Sequence, residues 1–311
     1  MLLSPKTITA LDEKLKTLKS LRPIAPSVLR KIREQFEIEM TYNSNAIEGN
    51  SLTLKETFWV INEGMTIKDK PLKDHLEAKN HQEALGFLYE LVDEKNFTMS
   101  EYLVKQIHQL VVQDSQRDIA GKYRDGDVII SGSKHKPPNF LDVPHLMKEL
   151  MEWLRAEKKK LHPVEFAALF HYKFVNIHPF WDGNGRTGRI LMNVFILQKG
   201  YPLAIILKAD RKRYYRVLSE ADEGKYNNYC EFIAQAVLRS LTIYLQILKP
   251  TTKKEQQNNS LKALSIGSPY SANYLRKLAT QGKLEAHKEG RNWVTTKEAV
   301  QHYIKNRQRK R

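Results

Sequence analysis

The spacing of apolar residues predicts a mainly helical protein up to about residue 248. Apolar positions recur at helical intervals, so that they share one face of a helix and can be buried together. The stretch 189–199 is apolar almost all round, which predicts a helix in the middle of the core. Two further apolar faces consist of Leu146, Leu150, Trp153 and Leu154, and of Phe166, Ala167, Phe170 and Phe174.

One short segment departs from the helical pattern. The run Val128, Ile129 and Ile130 lies between two groups of turn-forming residues, 125–127 and 131–133. β-Branched residues bounded by turn signals are typical of a strand. The sequence therefore predicts a small β-hairpin on a helical body.

A polar stretch at 249–260 predicts a linker, because it contains a proline and shows no apolar periodicity. Beyond it, two short helices are expected at 261–266 and 272–278, followed by strand-like pieces within 284–294 and a last helix at 296–305. This order is typical of a helix-turn-helix unit with a wing. The predicted fold class is all-α with a small β-hairpin, plus a small C-terminal winged-helix domain at 261–311.

Charge separates these two regions. The 311-residue chain carries a formal net charge of +16, of which residues 251–311 contribute +10. Such asymmetry favours a polyanionic partner such as DNA for the C-terminal region, and a solvated basic face is the alternative. The single cysteine, Cys230, excludes an internal disulfide. The N-terminus lacks a signal-peptide pattern, and no apolar run has membrane-spanning length, so we expect a cytoplasmic protein without a membrane partner.

Residues 178–189, HPFWDGNGRTGR, concentrate the groups suited to chemistry. The turn Gly183-Asn184-Gly185 combines residues that tolerate positive φ and directly precedes the apolar helix. Backbone N–H groups of such a turn, together with a helix N-terminus, bind anions, phosphate above all. Arg186 and Arg189 are three residues apart, so both guanidinium groups can reach the same phosphate chain.

Two more groups complete this stretch. Asp182 precedes the turn, where a carboxylate beside bound phosphates is a natural Mg²⁺ ligand. His178 lies four residues upstream, and a near-neutral pKa would let it take a proton from an attacking hydroxyl. A base, a metal carboxylate and a phosphate site within twelve residues indicate phosphoryl or nucleotidyl transfer.

The stretch 178–189, called the signature below, resembles the signature of the Fic family at every position. The resemblance implies transfer of AMP from ATP, with Mg²⁺, to a Ser, Thr or Tyr hydroxyl of a protein target, the chain itself included. It implies His178 as general base and Asp182 as metal ligand. It implies phosphate contacts for Gly183, Asn184, Gly185, Arg186 and Arg189.

Two further segments resemble the same family. Residues 121–138 are similar to its flap, a hairpin that covers the nucleotide and aligns the target by strand addition; Val128, Ile129, Ile130 and Ser131 would lie over the nucleotide. Tyr214 and Tyr215 match a position where the family places aromatic residues beside the base, with packing in the core as the alternative. Asp222 stands where some relatives carry Asn.

Residues 44–50, SNAIEGN, match the inhibitory pattern of the family in Ser44, Glu48 and Gly49. The resemblance implies that Glu48 pairs with Arg189 and suppresses transfer by misplacing the terminal phosphate of ATP. Residues 44–50 are called the inhibitory segment below. It belongs to an N-terminal helical region at 1–110, which precedes a catalytic core at 111–248. A cap followed by a solvated acid is the alternative for Ser44 and Glu48.

Other functions stay open from the sequence. The chain can be a DNA-binding regulator whose body binds a nucleotide without efficient transfer. It can also be an enzyme of the same family that transfers another phosphate-linked group or that removes AMP. A homodimer is a further expectation from the resemblance.

Overall fold

A computed structural model gives the fold. It describes residues 2–94, 98–130, 135–158, 160–248, 259–266, 268–281, 283–289 and 292–308. Two compact units are present, Met1–Gln246 and Ile247–Arg311. The predicted N-terminal region and the predicted catalytic core both lie within the first unit, so no unit boundary falls near residue 110. In the part of the chain that the structure describes, no helix is both long enough and apolar enough to cross a bilayer.

The first unit is built from helices, as the apolar spacing predicts. Short 3₁₀ turns at 117–119, 140–142 and 208–210 lie between some of the helices. The helices are α1 (Pro5–Ser20), α2 (Pro26–Ile47), α3 (Leu54–Asn62), α4 (Leu72–Asp93), α5 (Glu101–Val112), α6 (Val143–Glu157), α7 (Pro163–Ile177), α8 (Asn184–Gln198), α9 (Arg211–Asp222) and α10 (Tyr226–Leu248).

Helix α8 is the centre of this unit. It packs against α7, α5, α4 and α2, and its residues from Arg186 to Ile196 are all buried. An apolar side chain gains most when water is removed from every side, so a helix that is apolar almost all round is most stable in this central place. The predicted core helix is confirmed. The amphipathic faces of α6 and α7 meet beside it, where Trp153 stacks on Phe166 at 5.4 Å between ring centroids.

The predicted β-hairpin at 121–138 is wrong for the residues that the structure describes there. Residues 127–130 and 135–138 form no strand, and Ser131 lies outside the described residues. Side chains connect the two sides instead: Asp127 accepts hydrogen bonds from the Phe140 amide at 3.0 Å and from Asn139 Nδ2 at 3.2 Å. The returning side contains Pro137 and Pro138, which have no N–H to donate to a ladder.

The second unit contains the elements that the sequence predicts, with one addition. Asn259–Ser260, predicted as linker, forms strand β1, which pairs with β3 (Asn292–Thr295), and β3 pairs with β2 (His287–Glu289), all antiparallel. The rest of the predicted linker, 249–258, lies outside the described residues. The helices are α11 (Leu261–Ser265), α12 (Ala272–Thr280) and α13 (Lys297–Gln308). Their core is Leu261, Leu275, Leu278, Leu284 and Val300.

Candidate active site

The signature forms the loop between α7 and α8. His178 ends α7 in the left-handed conformation, with φ of 52°, and its amide donates to the Phe174 carbonyl at 3.1 Å. Asn184 then closes the loop on itself: its Oδ1 accepts from the Phe180 amide at 2.9 Å, and its Nδ2 donates to the Phe180 carbonyl at 2.7 Å. These contacts hold the histidine at one end of the loop and the helix start at the other.

The glycine turn differs from the expectation in one respect. Only Gly183 has positive φ, at 75°, while Asn184 and Gly185 are already the first residues of α8. A Cβ on Gly183 would lie 2.9 Å from Val112 Cγ1 of α5, so this position has both a conformational and a packing reason to be glycine. The Asn184 side chain stabilises the loop, because both of its amide atoms bond to Phe180. Only the backbone N–H of Asn184 is therefore available to contact a phosphate. The first N–H groups of an α-helix have no partner within the helix, so they stay available to an anion.

Both signature arginines are buried, each with 1% of its surface exposed. Arg186 forms ion pairs with Glu77 at 3.1 Å and with Asp182 at 3.4 Å. The Glu77 contact lacks hydrogen-bond alignment, so Nε and Nη1 of Arg186, like Nη1 of Arg189, have no hydrogen-bond acceptor among the described residues. Buried donors are normally satisfied. Three unsatisfied guanidinium nitrogens beside a helix N-terminus fit a polyanionic ligand.

The inhibitory segment meets the second of these arginines. Arg189 donates from Nε to Ser44 Oγ at 3.0 Å, and from Nη2 to the Ser44 carbonyl at 2.8 Å and to Glu48 Oε1 at 2.7 Å. Burial alone would lower the pKa of Arg189, but the Glu48 carboxylate raises it. The contact between Glu48 and Arg189 is the one that the resemblance implies. Gly49, with φ of 104°, follows Glu48, the residue that caps the end of α2.

Glu48 also lies against the helix start itself. A Cβ added to Gly185 would fall 2.2 Å from Glu48 Oε1, closer than any real contact. A carboxylate therefore occupies the space beside the first turn of α8, where the N–H groups and the arginines favour negative charge. Part of the space suited to a phosphate is filled by the chain's own anion.

Asp182 lies at the rim of the same site. Its carboxylate accepts from the Gly183 amide at 2.6 Å and from Gln116 Nε2, and Lys73 Nζ lies 3.9 Å away. Burial alone would raise the pKa of Asp182, but the Arg186 guanidinium, the Gly183 amide and Gln116 together lower it. An ionised carboxylate beside a phosphate site fits Mg²⁺, which is usually held by one or two carboxylates together with substrate phosphates.

His178 has a lower pKa than the sequence suggests. The pKa of His178 is lowered to about 4, mainly by burial; a hydrogen bond to the Val175 backbone and the charge of Glu48 oppose this shift, and Arg124 and His135 add to it. The expectation of a near-neutral pKa is wrong because it takes no account of burial. The imidazole is therefore neutral at cellular pH. The hydrogen bond to Val175 leaves the other ring nitrogen able to accept a proton.

Two residues that the sequence did not indicate, Arg124 and His108, form hydrogen bonds to the backbone of the signature loop. Arg124, 3% exposed, donates from Nε to the His178 carbonyl at 2.9 Å and from Nη1 to the Gly126 carbonyl at 3.0 Å. His108 bonds through Nε2 to the Asp182 carbonyl at 3.0 Å and accepts from the Gly121 amide at Nδ1 at 3.0 Å. Both connect the signature to the residues that resemble a flap. Their partners are up to 74 positions away, so no local pattern indicates them.

The remaining predicted site residues divide between core and surface. Tyr214 is 2% exposed and its hydroxyl lies 3.3 Å from His171 Nε2, so it packs in the core, the alternative that the sequence left open. Tyr215 is 38% exposed, with the Arg211 guanidinium 5.0 Å from its ring centroid. Asp222 accepts from the Tyr172 hydroxyl at 3.0 Å and from Asn176 Nδ2 at 3.1 Å, which ties α9 to α7.

Among the flap residues, Ile129 is 95% exposed. Val128 and Ile130 are half-buried on either side of it. Their predicted contact with a nucleotide stays a prediction.

Three histidines of this unit have no solvent-exposed surface, which predicts an unusual acid response. Burial lowers the pKa of His81 and His171 to about 3 and that of His108 to about 4. Because the unfolded chain binds these protons near pH 6.5, the free energy of unfolding should fall as pH drops from 6.5 towards 4. Each histidine contributes up to about 1.4 kcal/mol per pH unit.

Urea titrations at pH 7, 6 and 5 measure this slope. His171→Gln should reduce it by about one proton, whereas His145→Gln, which changes a side chain that is 73% exposed, should leave it unchanged. A free energy of unfolding that is constant over this range would contradict the prediction.

The first unit is mainly helical and brings a histidine, an acid, a glycine turn and two arginines to one helix start, which is the arrangement that the resemblance to the Fic family implies. Residues 98–196 match the Fic/DOC family. The protein adenylyltransferase Fic of Drosophila mojavensis is 36% identical to this chain over 246 residues, which are 78% of the chain and 48% of that protein. The chain spans about half the length of the curated relatives that it matches.

Solved structures agree with this assignment. A Fic-domain-containing signaling protein from Bacteroides thetaiotaomicron superposes with a TM-score of 0.72 at 29% identity, over 81% of this chain and 100% of that one. A Fic-1 fragment from C. elegans superposes with a TM-score of 0.70 at 27% identity, over 79% of this chain and 74% of that one.

Proposed function

We propose that this chain transfers AMP from ATP to a Ser, Thr or Tyr hydroxyl of a protein, itself included, and that Glu48 restrains the reaction. The observation that carries the proposal is the start of α8, where three guanidinium nitrogens of Arg186 and Arg189 have no hydrogen-bond acceptor among the described residues, together with the neutral His178 in the loop before that helix. The similarity to proteins named protein adenylyltransferase Fic supports the same chemistry.

The site offers a place for each part of the substrate. The N–H groups of the first turn of α8, with Arg186 and Arg189, suit the phosphate chain. Asp182 would hold Mg²⁺, which neutralises charge on the phosphates when bound. Tyr215 and the segment Val128–Ile130 are the residues that we assign to the nucleotide and to the incoming target.

The reaction follows from these positions. His178 takes the proton of the acceptor hydroxyl as its oxygen attacks the α-phosphorus of ATP. A new oxygen–phosphorus bond forms, the bond from the α-phosphorus to the bridging oxygen breaks, and pyrophosphate leaves. Arg186, Arg189 and the N–H groups of α8 stabilise the negative charge that moves onto the leaving phosphates.

Glu48 opposes this arrangement in two ways. It pairs with Arg189 at 2.7 Å, so that arginine is shared between the carboxylate and any phosphate. It also lies against Gly185, where its charge repels an anion at the helix start. We therefore assign the chain to the class of Fic enzymes with an inhibitory helix in the N-terminal region, here α2.

Mass spectrometry of the intact protein tests the proposal. The Glu48→Gly chain, incubated with ATP and Mg²⁺, should gain the mass of AMP, and the gain should disappear when Mg²⁺ is chelated or His178 is changed to Ala. Parallel incubations with UTP, CTP and GTP, and of adenylylated protein without ATP, address transfer of other groups and removal of AMP. If no nucleotide is added under any of these conditions, the proposal fails.

A second candidate function concerns residues 261–311. We propose that this unit is of the winged-helix type and binds DNA, as its basic charge and its order of elements suggest. On and beside α12, Arg276, Lys277 and Lys283 are exposed. Lys288 lies in β2, while Arg291 and 309–311 lie outside the described residues.

Binding of a DNA fragment by the whole chain, measured by electrophoretic mobility shift, should weaken steeply as the salt concentration rises. The substitutions Arg276→Ala and Lys277→Ala should each weaken this binding further. Binding that is unchanged by both would refute the DNA proposal. A cytoplasmic location and a homodimer belong to the same set of proposals.

A further inference from the structure

Glu77 of α4 is a buried carboxylate with three partners. It is 7% exposed, and its Oε1 lies 3.1 Å from Nη1 of Arg186 and 3.6 Å from Nζ of Lys73. Its Oε2 accepts from Nδ2 of Asn50 at 3.0 Å. One carboxylate therefore contacts both a signature arginine and the last residue of the inhibitory segment.

Both the nitrogen and the oxygen of the Asn50 side-chain amide form hydrogen bonds. Besides Glu77, its Nδ2 donates to the Asp74 carbonyl at 3.0 Å, and its Oδ1 accepts from the Leu52 amide at 3.1 Å. The next residue, Ser51, donates from its amide and its hydroxyl to Asp74 Oδ2 at 2.8 and 2.6 Å. The chain two residues after Glu48 is thus tied to α4.

Glu48 lies between two attachments. On one side, the amides of Glu48 and Asn50 donate to the Asn45 carbonyl at 3.0 and 3.1 Å, and that of Gly49 donates to Ala46 at 3.3 Å, which continues α2. On the other side is the Asn50 anchor on α4. The position of the Glu48 carboxylate over Arg189 therefore depends on both ends.

Arg186 links this anchor to the phosphate site. Its Nη1 lies 3.1 Å from Oε1 of Glu77, and neither Nη1 nor Nε has a hydrogen-bond acceptor among the described residues. A phosphate that binds Arg186 competes with Glu77 for the same positive charge. Any change in the Glu77 contact is passed to Asn50, because both contacts use one carboxylate.

We infer that Glu77 is a positioning residue that couples Arg186 to the anchor of the inhibitory segment, so that it orients the arginine and holds Glu48 in place. The inference rests on the proposed function. A simpler role, in which Glu77 only neutralises a buried arginine, predicts the same effect whether or not Glu48 is present.

Rates of AMP incorporation in four chains separate these roles: Glu77→Gln and its parent, each with Glu48 and with Glu48→Gly. A glutamine has one carbonyl oxygen, which cannot accept from Asn50 and face Arg186 together. With Glu48 present, Glu77→Gln should raise the rate about 3- to 30-fold, because the restraint loosens. In the Glu48→Gly chain it should lower the rate, because only the orientation of Arg186 is lost.

Asn50→Ala isolates the anchor. It should raise the rate with Glu48 present and leave the Glu48→Gly chain unchanged, since Asn50 does not touch the phosphate site. The matched control is Asn62→Ala, which removes an exposed hydrogen bond to Glu34 of α2 at 3.0 Å and should change neither chain. If Glu77→Gln shifts both backgrounds by the same factor, the coupling is refuted.

Hydrogen exchange of the amides of Glu48, Gly49 and Asn50 gives a readout without catalysis. Exchange should accelerate in Glu77→Gln and in Asn50→Ala, and stay unchanged in Asn62→Ala. If no variant incorporates AMP, the proposed function fails, while the exchange data still decide the coupling. Unchanged exchange in Glu77→Gln and Asn50→Ala would refute it.

Discussion

Replacing Glu48 with glycine is expected to raise the rate of AMP incorporation about 10- to 100-fold, which is of the same order as the typical effect of one bound group on the affinity for another. In the parent chain Arg189 is 1% exposed and binds the carboxylate at 2.7 Å, so a phosphate must displace Glu48 before it gains the arginine. Without the carboxylate, Nη2 keeps only its hydrogen bond to the Ser44 carbonyl, so its second N–H can bind a phosphate, and the repulsion at the start of α8 disappears. Glycine also suits the end of a helix.

Radiolabelled ATP measures this rate, and two variants define its cause. Glu48→Gln keeps the shape and removes the charge, so it should give an intermediate rate. Glu63→Gly is the matched control, because Glu63 also follows the end of a helix and precedes a glycine of positive φ, Gly64. Equal rates in the parent and the Glu48→Gly chain, with His178 intact, would show that Glu48 does not restrain transfer.

Changing His178 to alanine in the Glu48→Gly chain should lower the rate about 100- to 10,000-fold, as the loss of a positioned general base does. The pH dependence should identify the base. The pKa of His178 is lowered to about 4, and Glu48, which raises that pKa, is absent in this background. Because only the neutral ring accepts a proton, the rate should stay level from pH 8 to pH 6 and be lost only as pH approaches 4.

Single-turnover rates over this pH range, with ATP binding measured in parallel, provide the test. The His178→Ala chain should still bind ATP, since the arginines and the helix start are unchanged. His145→Ala, an exposed histidine of α6, serves as the control and should keep the rate of the Glu48→Gly chain. A His178→Ala rate within a factor of about 10 of that of the Glu48→Gly chain, while ATP still binds, would exclude His178 as the base.

Much of the site could be predicted because its geometry is local. His178, Asp182, Gly183, Arg186 and Arg189 lie within twelve residues, and one loop and one helix start bring them together. Helical spacing alone places Arg186 and Arg189 on neighbouring positions of α8. Ser44 and Glu48 are likewise one helical turn apart, so the pattern indicates that both can reach one partner.

Predictions failed where distant segments supply the partners. Residues 121–138 contain turn formers and β-branched residues, which predict a hairpin. In the structure, hydrogen bonds of the Arg124 and Asp127 side chains fix this segment, and the prolines on its returning side cannot donate to a strand ladder. Tyr214 has a neighbour of the same type, and only the packing shows that one is buried while Tyr215 is exposed. Three residues outside the signature contact it: Glu77 from α4, His108 from α5 and Gln116 from the chain just after α5. Their distances from the signature along the chain are longer than any motif, so no local pattern indicates them.

The sequence by itself determined the helical class of the first unit, the central place of α8 and the grouping of the signature residues at one helix start, because helical periodicity and turn chemistry act over a few residues. Only the tertiary structure decided the ionisation of those groups and their restraint. Burial lowers the pKa of His178, and Glu48 reaches Arg189 across 141 positions of the chain. Dielectric environment and charge pairing depend on which segments fold together, and that is a property of the packed chain.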